Sequence, residues 1–373
     1  MANPAPHDPP FRAEHVGSLL RPPELLKARA ELEAGRTSAA DLRKLEDELI
    51  RKVVARQEEI GLQAVTDGEY RRGVFYADFI CRGLGGASIY YETERMFFVD
   101  DQGNKIAVPL LKIHDRLRWT APVHVDEFQF LQALTRRTVK LTMPSPTIAY
   151  SADGRNIAKG VYPDLAELRD DIVDAYQKEL RALAAAGCRY VQLDEVPIAL
   201  YCDPKRVEQM KRGGLDVDQL LFETFPNLIN RALANRPPEL HVTMHLCRGN
   251  NQSGWLTEGG YDPVAEMLFS GVKVDSYFLE YDTARAGTFA PLRLVPKNKS
   301  VVLGIVSSKL ARLETKDELK RRIDDATKYI DLDQLGLSPQ CGFASTSPGN
   351  KLTPEQQDAK LQRIVETARE IWG

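Results

Sequence analysis

Apolar positions recur along the chain in two alternating rhythms. Short apolar or β-branched runs predict strands at residues 15–18, 62–67, 139–143, 190–194, 242–246, 275–280, 301–306 and 337–341. Between most of them the apolar residues return every three or four positions. Residues 38–60 place Leu42, Leu45, Leu49, Val53 and Ile60 on one helical stripe, and Gly61 follows as a stop. Residues 164–186 do the same with Leu165, Leu168, Ile172, Tyr176, Leu180 and Leu183, closed by Gly187. Further helices are predicted at 216–234, 263–269, 316–330 and 354–372. Eight strands alternating with helices predict an α/β fold of the (β/α)8 TIM-barrel class. A doubly wound open sheet is the alternative, but no GxGxxG turn follows the first strand.

The rhythm breaks once. Residues 68–137, between the second and third strands, are too many for a βα unit. Within them, 87–98 and 105–119 read as extended segments flanking the turn Asp100-Asp101-Gln102-Gly103-Asn104, which predicts a hairpin. It carries Tyr90, Tyr91, Phe97 and Phe98. The roles that suit it are a lid over the barrel mouth, or else a surface decoration or homodimer contact. The organisation expected is one catalytic barrel over 1–373 with an insertion at about 68–137.

Composition narrows the function. The chain has 50 Lys and Arg against 53 Asp and Glu, a net charge of −3, which argues against nucleic acid as the main partner. No apolar run approaches the roughly 18 residues of a membrane helix. The polar, proline-rich residues 1–11 do not read as a signal peptide, so a cytoplasmic protein is expected. Five cysteines, Cys81, Cys188, Cys202, Cys247 and Cys341, are too few and too scattered for a disulfide framework.

Active sites of barrels form at the C-terminal ends of the strands. There the sequence puts Asp194-Glu195, His245-Leu246-Cys247, Glu280 and Cys341. Residues two apart on a strand share a side, so His245 and Cys247 face together. Buried cysteine usually only packs, and an HxC pair alone is weak. The coincidence of His245, Cys247, Glu280 and Cys341 at three strand ends is what makes them a candidate Zn²⁺ ligand set. Two thiolates and one carboxylate would bring the ion to a net charge of about −1. Such a site generates hydroxide poorly and suits the binding of an incoming thiol, which implies thiol alkylation rather than hydrolysis.

Val16-Gly17-Ser18, Gly68-Glu69, Leu193-Asp194-Glu195, His245-x-Cys247, Glu280 and Gln340-Cys341-Gly342 occur in an order that resembles cobalamin-independent methionine synthase. The resemblance is to its catalytic C-terminal barrel and runs from about Phe11 to the end. The phrases His15-Val16-Gly17-Ser18-Leu19-Leu20-Arg21-Pro22, Thr66-Asp67-Gly68-Glu69 and Leu337-Ser338-Pro339-Gln340-Cys341-Gly342-Phe343 are similar to its short, stand-alone branch, the 5-methyltetrahydropteroyltriglutamate–homocysteine methyltransferase-like proteins. The resemblance implies that His245, Cys247, Glu280 and Cys341 bind Zn²⁺. It implies that Val16, Gly17 and Ser18 hold the carboxylate of homocysteine, and Glu69 and Asp194 its ammonium group. A zwitterion fixed at both ends aims its sulfur at the metal. Glu195 and His15 lie beside these segments as further substrate-binding candidates; an ordinary strand-end salt bridge and a helix N-cap are the structural alternatives for Asp194-Glu195 and Ser18.

Two departures bear on the methyl donor. Where the family has a catalytic histidine after its seventh strand, this chain has Gly304-Ile305-Val306-Ser307-Ser308-Lys309, leaving Lys309 or Ser307 in the catalytic place. Tyr150 stands where the family has a folate-stacking tryptophan. The resemblance therefore implies methyl transfer to homocysteine from a methyl-folate or, alternatively, a methyl-corrinoid. Zinc-dependent alkyl transfer to another thiol, with a corrinoid-protein or epoxide partner, and a non-catalytic zinc-binding protein are the other readings.

Overall fold

The computed structural model describes residues 9–76, 78–100 and 102–373. Seven strands form one parallel sheet: β1 (Ala64–Val65), β4 (Thr138–Pro144), β5 (Tyr190–Glu195), β6 (His241–Leu246), β7 (Ser276–Glu280), β8 (Ser300–Val306) and β9 (Leu335–Pro339), hydrogen-bonded in that order. The other two, β2 (Ala87–Val99) and β3 (Lys105–Ile113), make a separate antiparallel hairpin with an irregularity between Glu92 and Phe97. Strands β5, β7 and β9 are buried at every position, because a curled parallel sheet covered by helices has no wet face.

Two boundaries differ from the sequence reading. The second expected strand, 62–67, shrinks to the two residues of β1, and the last ends at Pro339, so Cys341 sits in the loop beyond it. The expected first strand, 15–18, makes no ladder. The chain there lies between the two edge strands of the sheet and is held by single contacts. Ala13 bridges Leu337 in parallel, and the Leu19 N–H donates to Gly68 O. The carbonyls of His15, Val16 and Gly17 are each taken by a side chain instead: Lys140 from β4, Gln192 from β5 and Thr66 from the turn after β1. Gly17 has φ +140°, and a Cβ there would lie 2.6 Å from Thr142 Cγ2, so the apolar look of the segment masks a bend that only glycine fits.

The long helices begin and end on local chemistry. Ser38 caps Ala39–Ile60 and Gly61 ends it in the left-handed conformation; Asp164 caps Leu165–Ala185. Capping boxes of Thr315 with Glu318 and Thr353 with Gln356 start Lys316–Thr327 and Pro354–Trp372. The helix expected over 216–234 is broken: Val217–Gln219 leads through a π-turn into Phe225–Leu233, with Pro226 removing an amide donor. The 263–269 prediction becomes a π-turn at Met267–Gly271. Among the described residues no helix is long and apolar enough to cross a membrane.

The hairpin predicted in the insertion is present and is anchored at both ends. Val99 bridges Trp255, and Ile113 bridges Ile157. Behind it, the buried Glu179 carboxylate accepts from Trp119 Nε1 at 2.7 Å and from the Val123 and His124 amides. This fixes the chain leaving the hairpin against the helix Leu165–Ala185.

Candidate active site

A cavity of about 270 Å³ lies at the C-terminal ends of the strands. Its wall includes Val16, Ser18, Glu69, Tyr150, Asp194, His245, Cys247 and Cys341. The hairpin contributes Met96, Phe98, Val108, Leu110 and Leu111 to the same wall. A second chamber of about 350 Å³ adjoins it and shares Met96, Leu110, Thr147, Tyr150 and Leu200.

His245, Cys247, Glu280 and Cys341 each offer a ligand atom within 4.8 Å of the others, and all four are buried. Strand register explains the convergence: Asp194 pairs with His245 across β5 and β6, and the Cys247 amide donates to Glu195 O at 2.7 Å. The two sulfurs are 3.5 Å apart. The hydrogen bond between them pushes the Cys247 thiol up and holds Cys341 down, so one proton serves both. Glu280 is pushed up to about 7, by burial first and then by the charge of Cys341. Its Oε1 accepts from the Arg248 amide at 2.6 Å, and its own amide donates to Tyr261 OH at 2.9 Å. Neither ring nitrogen of His245 has a nitrogen or oxygen partner among the described residues. Burial pulls the imidazole pKa down, but the charge and hydrogen bond of the Cys341 sulfur raise it to about 9, so the ring faces two thiols and a carboxylate as one member of a donor set. The donor set fits Zn²⁺.

The second group of residues forms around two carboxylates. Glu69 has φ +59°, held by an Asx turn in which its amide donates to Asp67 Oδ1 at 2.8 Å. Thr142 Oγ1 donates to Glu69 Oε1 at 2.9 Å, Arg72 stands 3.8 Å away, and Glu69 Oε2 has no partner among the described residues. Burial raises the Glu69 pKa against the pull of Arg72 and Arg21. Asp194 is pushed up to about 7 by burial and by the charge of Glu69. Two buried carboxylates on one cavity wall, whose pKa values burial raises in spite of nearby Arg72, Arg21 and His245, can seat a cationic group. Ser18 Oγ accepts from the Ala344 amide at 3.3 Å. Gly342 passes so close that a Cβ there would lie 2.0 Å from Ser18 Oγ, which gives a steric reason for glycine after Cys341.

Other sequence candidates are placed elsewhere. Glu195 points to the opposite side of β5 from Asp194, where its carboxylate takes the Thr147 hydroxyl and the Ile198 amide. His15 is buried near Gln57 and Ala64, off the cavity wall, and is kept neutral by burial and by the charge of Lys140. Lys309 Nζ donates to Gly249 O, Asn250 Oδ1 and Gly254 O, and Ser307 Oγ accepts from the Lys309 amide. Neither reaches the cavity wall. Tyr150 does, with its hydroxyl accepting from Arg169.

Three residues escaped the sequence reading. Arg21 donates to four carbonyls, those of Glu69, Arg72, Ala344 and Thr346, and so ties the Glu69 turn to the loop after β9. Asn250 lines the cavity and donates to Gly342 O at 2.6 Å. Gln192 bridges Val16 and Asp194. Only the position of Gln192, two before Asp194 on a strand, carried a signal.

A family model described as the catalytic domain of cobalamin-independent synthase matches residues 11–370. The uncharacterized protein YxjH of Bacillus subtilis is 43% identical over 97% of this chain and 95% of its own length. A 5-methyltetrahydropteroyltriglutamate–homocysteine methyltransferase of Listeria welshimeri is 22% identical, and this chain spans 43% of its length. Among solved structures, a candidate vitamin-B12-independent methionine synthase of Listeria monocytogenes superposes with a TM-score of 0.76, at 33% identity, over 98% of each chain. A B12-independent methionine synthase of Shewanella, in complex with selenomethionine, shares the fold with a TM-score of 0.72 at 18% identity, over 96% of this chain and 97% of that one. The chain belongs to the family of cobalamin-independent synthase catalytic domains.

Proposed function

We propose that the protein is a zinc-dependent methyltransferase that methylates the thiol of homocysteine to give methionine, on a (β/α)8 barrel lidded by the 68–137 insertion. The observation that carries this reading is one cavity whose wall holds His245, Cys247 and Cys341, with Glu280 within 4.8 Å of them, beside the carboxylate pair Glu69 and Asp194. His245, Cys247, Glu280 and Cys341 would hold the ion. When bound, zinc stabilises a thiolate at neutral pH, where a free thiol of pKa about 8.5 is mostly protonated.

The chain's own groups do the rest. Asp194 and Glu69 hold the substrate ammonium, and the Val16–Ser18 segment holds its carboxylate. The apolar hairpin wall excludes water. Tyr150 offers a flat face to a methyl-folate ring. In the transfer, the sulfur lone pair forms the S–CH₃ bond and the donor's N–CH₃ bond breaks with its electron pair left on nitrogen. The proton given up by the thiol balances the one that nitrogen takes. Lys309, committed to three acceptors, acts as a positioning residue for Asn250 and the loop after β6 rather than as the acid.

The test is cobalt-substituted protein. Homocysteine is expected to add a sulfur-to-cobalt charge-transfer band, and an unmoved spectrum overturns homocysteine as the acceptor. Asp194→Asn should raise KM for homocysteine roughly 10- to 100-fold, the worth of a charge-assisted hydrogen bond, without loss of bound metal. Steady-state kinetics with 4-mercaptobutanoate, which lacks the amino group, should show no such change. If both thiols lose equally, Asp194 does not read the ammonium, and another thiol becomes the better acceptor.

A further inference from the structure

We propose that Gln192 is a positioning residue that couples the two ends of the amino-acid seat, so that the carboxylate and the ammonium of the substrate are recognised cooperatively. The inference rests on the seat proposed above.

Gln192 lies in the middle of β5, in register with Thr142 of β4 and Thr243 of β6, and is completely buried. It is not on the cavity wall, so it does not touch substrate. Its single side-chain nitrogen donates twice: to Val16 O at 2.6 Å and to Asp194 Oδ1 at 2.7 Å. Both partners are acceptors, so only the amide nitrogen can stand there and the flip of the group is settled by chemistry. Its Oε1 has no partner among the described residues, which leaves the two donated bonds as the polar contacts that hold it.

Those bonds join elements that the backbone leaves unladdered. The Val16–Ser18 segment makes no strand, and the Val16 carbonyl depends on a side chain for its partner. Asp194 sits on the rigid sheet. One amide therefore links the group that reads the ammonium directly to the segment that reads the carboxylate, whose neighbouring carbonyls are held by Lys140 and Thr66. A ligand that orders one end pre-orders the other, and the coupling is reciprocal by linkage.

The experiment is calorimetric binding to the zinc-loaded protein of four thiols: homocysteine, 4-mercaptobutanoate without the amino group, 3-aminopropanethiol without the carboxylate, and 1-propanethiol without either. Together they form a double cycle on the ligand. In the wild type the two groups are expected to bind at least about fivefold better together than the product of their separate effects. In Gln192→Met, of similar volume but without donors, that factor should fall to within about twofold of one while zinc content stays at wild-type level. A general weakening of the fold would lower all affinities and leave the factor in place. Gln192→Met that keeps the wild-type coupling overturns the proposal. Should Gln192→Met not yield folded protein, Gln192→Asn, one methylene shorter and unable to serve both acceptors at these distances, carries the same expectation. A wild type that binds homocysteine no better than 1-propanethiol fails the seat itself, an outcome distinct from a seat that works without Gln192.

Discussion

Cys247→Ser is expected to lose bound zinc and to reduce methionine formation by about three orders of magnitude or more. Structural zinc is held by a total of roughly 10–16 kcal/mol, so one ligand of four accounts for about 3 kcal/mol, or more than a hundredfold in metal affinity. Serine replaces a soft, ionisable sulfur with a hydroxyl that stays protonated at neutral pH. The remaining effect comes from the neighbour: Cys341 is held down chiefly by its hydrogen bond to Cys247, 3.5 Å away, and serine would supply a weaker version of it. The control is Cys188→Ser. Cys188 is also buried, but burial pushes its thiol up to about 12 and its sulfur donates to Tyr190 O at 3.6 Å. That variant should keep its zinc and its turnover. Metal analysis of the purified proteins with an assay of methionine formation checks both. A Cys247→Ser protein holding one zinc per chain at wild-type activity would sink the assignment of the quartet.

The quartet was legible because strand geometry is periodic. His245 and Cys247 are two apart at a strand end, and Glu280 and Cys341 end or follow neighbouring strands, so a barrel-like sheet brings them together with no further information. The hairpin was legible from its turn and its aromatic runs. The Val16–Ser18 segment was not. Its apolar residues look like a strand, but the bend at Gly17 replaces a ladder by three side-chain donors that lie 49, 125 and 176 positions away. The surroundings of Lys309 were hidden for a similar reason. It follows β8, but the acceptors that occupy its ammonium come from the loop after β6, which spacing along the chain cannot reveal. The split between Asp194 and Glu195 could have been foreseen, since adjacent strand residues face opposite sides and only one can face the cavity.

Lys140→Met is expected to destabilise the fold by about 3–5 kcal/mol, the usual loss when one partner of a buried ion pair is removed. Lys140 and Glu14 are both fully buried, with Nζ donating to Glu14 Oε2 at 3.0 Å and to His15 O. Burial pulls the Lys140 pKa down, and the charge and hydrogen bond of Glu14 pull it back up. Removing the ammonium leaves Glu14 with the Tyr190 hydroxyl at 2.9 Å and the Phe11 amide at 3.2 Å, two donors but no cation. A carboxylate buried without its countercharge is the costly half of a broken ion pair. Glu14→Gln combined with Lys140→Met removes that stranded charge and should recover much of the loss. Urea unfolding of the wild type, the single variant and the double variant provides the measurement. A double variant no better than the single one would mean that packing around the lysine stem rather than the stranded carboxylate sets the cost. The Lys140 side chain also holds the His15 carbonyl beside the Val16–Ser18 segment, so the single and double variants should both bind homocysteine more weakly, even where the double variant regains its stability.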